Sequence, residues 1–361
     1  MLHIIWKANF GGIEKLVYEL ANEQHTSENI EVAVLILKDG GEYLERFQSA
    51  SFKLYNLNFK SGNWASFTQL SQLSKIINDF DLIHLHSFNP WVFFSIVKSG
   101  KIIVYTEHGN FGFGRKAKNF DQLLYKLRRF GINRFAKAIT YNSNFTKKYA
   151  EDYLGYSKGN FRKVVYNGVK NTSEKAIKLA ELDQEFVVGT WSRFAGFKRI
   201  DRLIKAFAQF QKGRNTKLLL IGDGVLKAEL KQLCKKVLIE DKVVFTNYVE
   251  QPKQYISQMQ VTVFPSEQEP FGLVSVEALQ YGKQTIVFSD GGGLVEIINP
   301  ISTRNVVESV SGLVDRLEEC YLLWQKGELD NYEEINKRKA RAADFTIGRM
   351  NSQLEEIYLS L

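Results

Sequence analysis

The chain has 361 residues, 44% hydrophobic and 24% charged, which is too long for one ordinary core and too apolar for a disordered polymer, so two folded domains are expected. Two cysteines, Cys234 and Cys320, supply neither a disulfide framework nor a metal-ligand cluster, and this usage fits a reducing cytoplasm. The net charge of +8 is uneven: residues 1–170 carry 23 Lys+Arg against 14 Asp+Glu, residues 171–361 carry 25 against 26, and an acidic partner is expected to meet the first half.

The chain opens directly on an apolar strand, Leu2–Trp6, with no basic segment before it, so no secretory signal is expected. In order, β-branched runs bounded by turn residues then predict strands at Val32–Leu37, Leu82–His86, Ile102–Thr106 and Ala138–Asn142. Helices are predicted between them at Ile13–Gln24, Phe67–Asn78 and Phe120–Phe135. The aromatic-aliphatic run Trp91–Val97 falls far short of the roughly 20 residues that span a bilayer. Residues Val169–Glu185 are polar and without a strong period, which places a linker there.

The alternation restarts after the linker, with strands at Phe186–Thr190, Leu218–Gly222, Val243–Phe245, Val261–Phe264 and Thr285–Phe288. Helical periods fall at Asp201–Gln211, Leu226–Val237, Gln254–Met259 and Val274–Tyr281. Strands separated by helices imply two parallel α/β sheets of Rossmann-like type, with ligands outside the carboxyl ends of the strands and a cleft between the domains as the default site. The tail from Met350 to Leu361 has helical spacing and suits either a simple cap or a return to the first domain.

The most informative stretch is FPSEQEPFGLVSVEALQYG, residues 264–282. Pro270 and Gly272 hold Glu269 in a tight turn, and a helix beginning near Leu273 or Val274 carries Glu277. Were all eight steps helical, the two carboxylates would be about 12 Å apart along the axis. Glycoside hydrolases hold theirs about 5–5.5 Å or about 6.5–9.5 Å apart, so the spacing favours separate tasks along one extended ligand over a hydrolytic pair.

In GTWSRFAGFKRIDRL, residues 189–203, Arg193 follows a strand and Lys198 lies five residues on. A guanidinium and an ammonium there can neutralise a departing diphosphate without a metal; a solvated basic loop, with Arg199 and Arg202 beside them, is the plainer reading. Gly222-Asp223-Gly224 and Gly291-Gly292-Gly293, the latter followed by Glu296, end strands where backbone can approach a nucleotide. Gly11 and Gly12 sit between the first strand and the first helix, a placement suited to phosphate or sugar. His108, beside Gly109 at a strand's carboxyl end, points to function more than to packing. At least one of His84 and His86 is expected to be structural. Asp79-Phe80-Asp81 has the form of a metal-binding D-x-D but precedes its strand, away from the expected site.

Taken in order, these pieces resemble the family 4 glycosyltransferases of GT-B fold over most of the chain: the Gly11-Gly12 loop, Thr106–Gly109, VVYNGV at 164–169, Arg193 with Lys198, the Gly222–Gly224 turn, the seven-residue interval from Glu269 to Glu277, GGLVEII at 292–298 and the tail FTIGRMNSQLEEIY at 345–358. The resemblance implies a metal-independent, retaining transferase using a UDP- or GDP-linked sugar. It implies an acceptor-binding domain over residues 1–170, on which the helix at about 346–361 packs, and a donor-binding domain over 171–345. By the same resemblance Arg193 and Lys198 hold the donor diphosphate and Glu277 the ribose. Glu269 and the amides of Phe271, Gly272 and Leu273 hold sugar hydroxyls, and Gly12 and His108 act from the first domain. Trp191 stands where the family has a smaller residue, and NPISTRNVVESVSGL at 299–313 replaces its usual glycine-rich continuation.

Arg115, Lys116, Lys118, Lys126, Arg128, Arg129, Arg134 and Lys137 interleave with Phe111, Phe113, Phe120, Tyr125, Phe130 and Phe135. They suit a surface that docks on anionic lipid near a lipid-linked acceptor, a helical face over a core stripe, or a site for an acidic glycan; nucleic acid is not expected. The implied setting is cytoplasmic, at the inner face of a membrane, in surface polysaccharide or glycolipid synthesis. The competing readings are a sugar-nucleotide epimerase of the same fold and a non-enzymatic two-domain sugar-binding protein.

Overall fold

In the computed structural model, which describes residues 1–9, 11–59, 65–109, 119–158, 161–170, 185–249 and 252–361, every sheet pairing is parallel. The chain divides into two units, Met1–Lys170 together with Thr346–Leu361, and Asn171–Phe345. Most of the expected linker, residues 171–184, lies outside the described residues.

The first unit runs β1 (Leu2–Lys7), α1 (Gly12–His25), β2 (Ala33–Lys38), α2 (Leu44–Gln48), β3 (Lys53–Asn56), α3 (Phe67–Asn78), β4 (Leu82–Leu85), α4 (Pro90–Ser99), β5 (Ile102–Glu107), α5 (Asn119–Phe135), β6 (Ala138–Tyr141), α6 (Asn144–Asp152) and β7 (Arg162–Val164). Its strands lie in the order β3-β2-β1-β4-β5-β6-β7. The central strands are buried on both faces, and their unbroken apolar runs follow from that. The edge strands β3 and β7 are only half-buried and carry no such run, which is why periodicity passes over them. Local chemistry sets the helix ends. Ser66 and Gln69 form a capping box on α3, while Asn89 caps α4, whose Pro90 fills the first turn and whose Gly100 closes it in the left-handed region. The run Trp91–Val97 belongs to this ten-residue α4, which buries Val92, Phe93 and Ile96. No helix among the described residues is long and apolar enough to cross a membrane.

The second unit runs β8 (Phe186–Trp191), α7 (Ile200–Phe210), β9 (Thr216–Ile221), α8 (Lys227–Lys236), β10 (Val243–Phe245), α9 (Lys253–Ile256), β11 (Val261–Phe264), α10 (Leu273–Gln280), β12 (Gln284–Phe288), α11 (Gly293–Ile298), β13 (Val306–Val307), α12 (Val310–Gln325) and α13 (Tyr332–Ala342). The sheet order is β10-β9-β8-β11-β12-β13. Both units are thus Rossmann-like parallel α/β layers. The segment 299–313 is no simple loop: it supplies β13 and the start of α12, which buries Leu313, Leu317 and Cys320 against this core.

The last helix, α14 (Ile347–Leu359), belongs to the first unit. Met350, Leu354, Ile357 and Tyr358 join Leu16, Leu20, Val104 and Val165 in one buried cluster, and the Tyr358 hydroxyl meets His84 Nδ1 at 2.6 Å. Gly168 makes the entry possible, because a Cβ there would lie 2.5 Å from Ile347 Cα. Of the two readings of the tail, the return to the first domain is the one found. Leu354→Ala is therefore expected to cost about 2–5 kcal/mol in urea denaturation, as for a fully buried leucine; a loss under about 0.5 kcal/mol would mean that α14 does not hold this core.

Candidate functional site

In the second unit the loops after β8, β11 and β12 are bonded to one another. Glu267 N donates to the Phe197 carbonyl at 2.8 Å, Gln268 N to the Asp290 carbonyl at 2.8 Å, and Gly293 N to the Glu269 carbonyl at 2.8 Å. Gly293 must be glycine, since a Cβ would lie 2.5 Å from the Pro270 carbonyl oxygen. The bonds hold two residues at positive φ, Gln268 at 51° and Arg199 at 46°, where non-glycine backbone is strained.

This lacing pairs two of the predicted residues with each other and sets a third, Glu277, against Trp191. Lys198 Nζ donates to Glu269 Oε2 at 2.6 Å, with both side chains largely buried. The indole N–H of Trp191, the last residue of β8, donates to Glu277 Oε2 at 3.1 Å. Gly272 caps α10 in the left-handed region at φ 98°, so Leu273 begins the helix and Glu277 stands within it. Glu269 lies ahead of the helix, in the turn, with Phe271 buried behind it against Phe345. The two carboxylates therefore serve different elements.

The neighbouring cations divide sharply. Arg199 is engaged by Asp201 and Glu267, and Arg202 forms a two-pronged pair with Asp290 at 2.8 and 2.7 Å. Arg193 is exposed, and its side chain bonds to no described residue. The loop is thus not a uniformly solvated basic stretch. Trp191 is no loose replacement either: it is buried edge-on to Phe264, with ring centroids 4.9 Å apart. Gly222 has a packing reason of its own, since at φ 135° its Cβ would lie 2.0 Å from the Ser192 carbonyl oxygen. The second glycine loop stitches the site's backbone, and the Glu296 carbonyl accepts from Arg341 at 2.8 Å.

In the first unit, Gly11 is the extended N-cap of α1, and Gly12 is its first residue. His108 follows β5, buried, with Nε2 on His86 Nδ1 at 2.9 Å. Its position is set by a residue that pattern reading missed. Glu107 accepts the Gly109 amide at 3.0 Å and the Tyr156 hydroxyl at 3.0 Å, and it forms a buried ion pair with Arg128, which also meets the Tyr105 hydroxyl at 2.6 Å. A glutamate ending an apolar strand was the available signal, although its partner lies on a different element. Arg128 is accordingly removed from the basic surface. Lys126, Arg129, Arg134 and Lys137 stay exposed, and Tyr125 and Phe130 are exposed with them rather than in a core stripe. Residues 111–118 of that surface lie outside the described residues, as does the side chain of Phe120. Asp79 caps the end of α3 ahead of β4, at the opposite edge of the sheet from His108.

Burial lowers the pKa of both His3 and His108 from 6.5 to about 4, and it holds His84 and His86 well below 6.5.

Two models of known families match the chain, "Glycosyltransferase Family 4" over residues 10–172 and "Glycosyl transferases group 1" over residues 171–339. The chain belongs to the family 4-like glycosyltransferases of GT-B fold. N-acetyl-alpha-D-glucosaminyl L-malate synthase of Bacillus anthracis is 26% identical over 294 residues, 78% of this chain and 74% of that protein. The capsular polysaccharide biosynthesis glycosyltransferase CapM of Staphylococcus aureus is 32% identical over 168 residues, 45% of this chain and 43% of that protein. The Bacillus protein apart, the chain spans about a third to a half of the length of such curated relatives. Among solved structures, HepE of Anabaena in complex with UDP has the same fold, with a TM-score of 0.80, 20% identity, and coverage of 100% of this chain and 99% of that one.

Two outcomes follow for stability. Gly222→Ala, at φ 135° and against the Ser192 carbonyl, is expected to cost at least about 3 kcal/mol, against about 1 kcal/mol for Gly213→Ala, which sits at φ 71° with open space around it; equal shifts in melting temperature would refute the close approach at Ser192. The unfolded chain protonates His3 and His108 near 6.5, whereas the folded one resists until about 4. Stability is therefore full above about pH 6.5 and falls as the pH drops toward 4. Urea midpoints that held steady or rose between pH 7 and pH 5 would contradict this.

Proposed function

We propose that the chain is a retaining glycosyltransferase that moves a sugar from a nucleotide-diphosphate sugar to a glycan or lipid-linked acceptor, in surface polysaccharide or glycolipid synthesis. The observation that carries the reading is the pairing of Lys198 with Glu269 and of Trp191 with Glu277 on the laced loops of the second unit. A nucleotide-sugar needs cations at its diphosphate and acceptors at its ribose and sugar hydroxyls, and these residues offer both.

In this reading Arg193 and Lys198 neutralise the diphosphate as the glycosidic bond breaks, with no metal required. Glu277, oriented by the Trp191 indole, takes the ribose. Glu269 and the amides of Phe271, Gly272 and Leu273 take the sugar. The glycine turn at Gly222–Gly224 offers its backbone to the nucleotide. The first unit serves the acceptor, with Gly11, Gly12 and His108 contributing to the reaction. The exposed Leu123, Tyr125 and Phe130 of α5, beside Lys126, Arg129 and Arg134, suit docking on an anionic membrane surface. The UDP in the HepE crystals makes uridine donors the first to test.

A thermal-shift screen of UDP, GDP and ADP sugars should find a donor that raises the melting temperature. With that donor, Arg193→Ala/Lys198→Ala should lower kcat/KM at least about a thousandfold, as for lost transition-state charge stabilisation, and EDTA should leave the rate unchanged. Full turnover in the double variant would sink the diphosphate assignment. Conversion of the donor to an isomer with no acceptor present would mark an epimerase instead.

A further inference from the structure

Three adjacent parallel strands, β1, β4 and β5, place four histidines side by side in the first unit. His3 Nε2 lies 2.7 Å from the Gln24 amide oxygen, His3 Nδ1 lies 2.8 Å from His86 Nε2, and His86 Nδ1 lies 2.9 Å from His108 Nε2. His84 stands aside from this line, held by the Tyr358 hydroxyl at Nδ1 and the Thr106 hydroxyl at Nε2, both at 2.6 Å. Ring nitrogens of His3, His84 and His86 lie within 4.8 Å of one another, a spacing open to a metal ion. All six of them already have hydrogen-bond partners, so the cluster is satisfied as a hydrogen-bonded network.

The network is directional. Burial keeps these imidazoles neutral, and a neutral imidazole has one N–H and one lone pair. The Gln24 amide is placed with its oxygen toward His3 and its Nε2 buried without a hydrogen bond among the described residues; in this placement the oxygen can only accept, so His3 Nε2 carries the proton and His3 Nδ1 a lone pair. His86 Nε2 must then donate to His3, which leaves His86 Nδ1 as an acceptor. His108 Nε2 must donate to His86. The last lone pair therefore falls on His108 Nδ1, which is buried and has no partner among the described residues.

We propose that Gln24 is a positioning residue: acting through His3 and His86, it holds His108 as its Nε2–H tautomer, so that the Nδ1 lone pair accepts a hydrogen bond from a substrate hydroxyl. This rests on the reading of the chain as a glycosyltransferase, and it adds a chemical preference. An orphaned acceptor is complementary to an O–H group and opposed to a phosphate or carboxylate oxygen, so His108 meets a sugar or acceptor hydroxyl, while the anionic part of the donor belongs to Arg193 and Lys198.

The test is long-range proton–nitrogen correlation on the full chain carrying ¹⁵N-labelled histidine, with the His108 signals assigned by their loss in His108→Asn. The wild type is expected to show a protonated Nε2 and a bare Nδ1 on His108; a protonated Nδ1 overturns the proposal and needs no further variant. In Gln24→Met, which keeps the side-chain volume and removes the acceptor, His108 should become a mixture of tautomers. Its kcat should fall about tenfold with KM for the donor within about twofold. An unchanged His108 tautomer in that variant overturns the relay. The spectrum requires neither donor nor turnover, so a chain that shows the relay and yet transfers no sugar counts against the function alone.

Discussion

Parallel strand pairing throughout both sheets is the constraint on which the rest depends. A parallel strand can be reached only by a crossover, here mostly helical, so each strand runs in the same sense and each leaves its carboxyl end at the same edge of its sheet. The residues with chemical potential gather at those edges: Trp191 at the end of β8 with Arg193 and Lys198 after it, Gly222 after β9, Glu269 after β11, and Gly291–Gly293 after β12. In the first unit the same edge carries Gly11 after β1, His86 after β4 and His108 after β5. The D-x-D at Asp79–Asp81 lies at the other edge because it precedes its strand.

Within the second unit, charge pairing then separates cations that composition alone cannot distinguish. Arg199 and Arg202 spend their guanidinium forks on Asp201, Glu267 and Asp290, and in doing so tie the loops together. Lys198 engages Glu269 through one of three N–H groups on its ammonium, so it can serve a carboxylate and a phosphate oxygen at once. Arg193 remains exposed. The glycines make this arrangement possible by allowing backbone to approach backbone at Ser192 and Pro270.

Much of this was legible in the sequence. Helix α10 begins at Leu273, as Pro270 and Gly272 foretold, and α3 occupies the predicted span Phe67–Asn78. The central strands announced themselves because both of their faces are buried. Edge strands β3 and β7 did not, since half-buried strands lack a long apolar run. Contacts between distant segments were beyond reach: nothing local joins Glu107 to Arg128, Trp191 to Glu277, or Gln24 to His3. Those contacts depend on register between strands and on where helices lie over the sheet. The indole of Trp191 shows the limit well, for a residue noted only as unusual turned out to orient the carboxylate beside it.

The central claim is that Arg193 and Lys198 recognise a diphosphate while Glu277 recognises the nucleoside. Titration calorimetry of a nucleoside diphosphate and its monophosphate, on the wild type and on Arg193→Ala/Lys198→Ala, separates the two roles most directly. The account predicts that the diphosphate binds more tightly to the wild type and that this advantage collapses in the double variant, while monophosphate affinity changes little. A diphosphate advantage that survived the loss of both cations would contradict it.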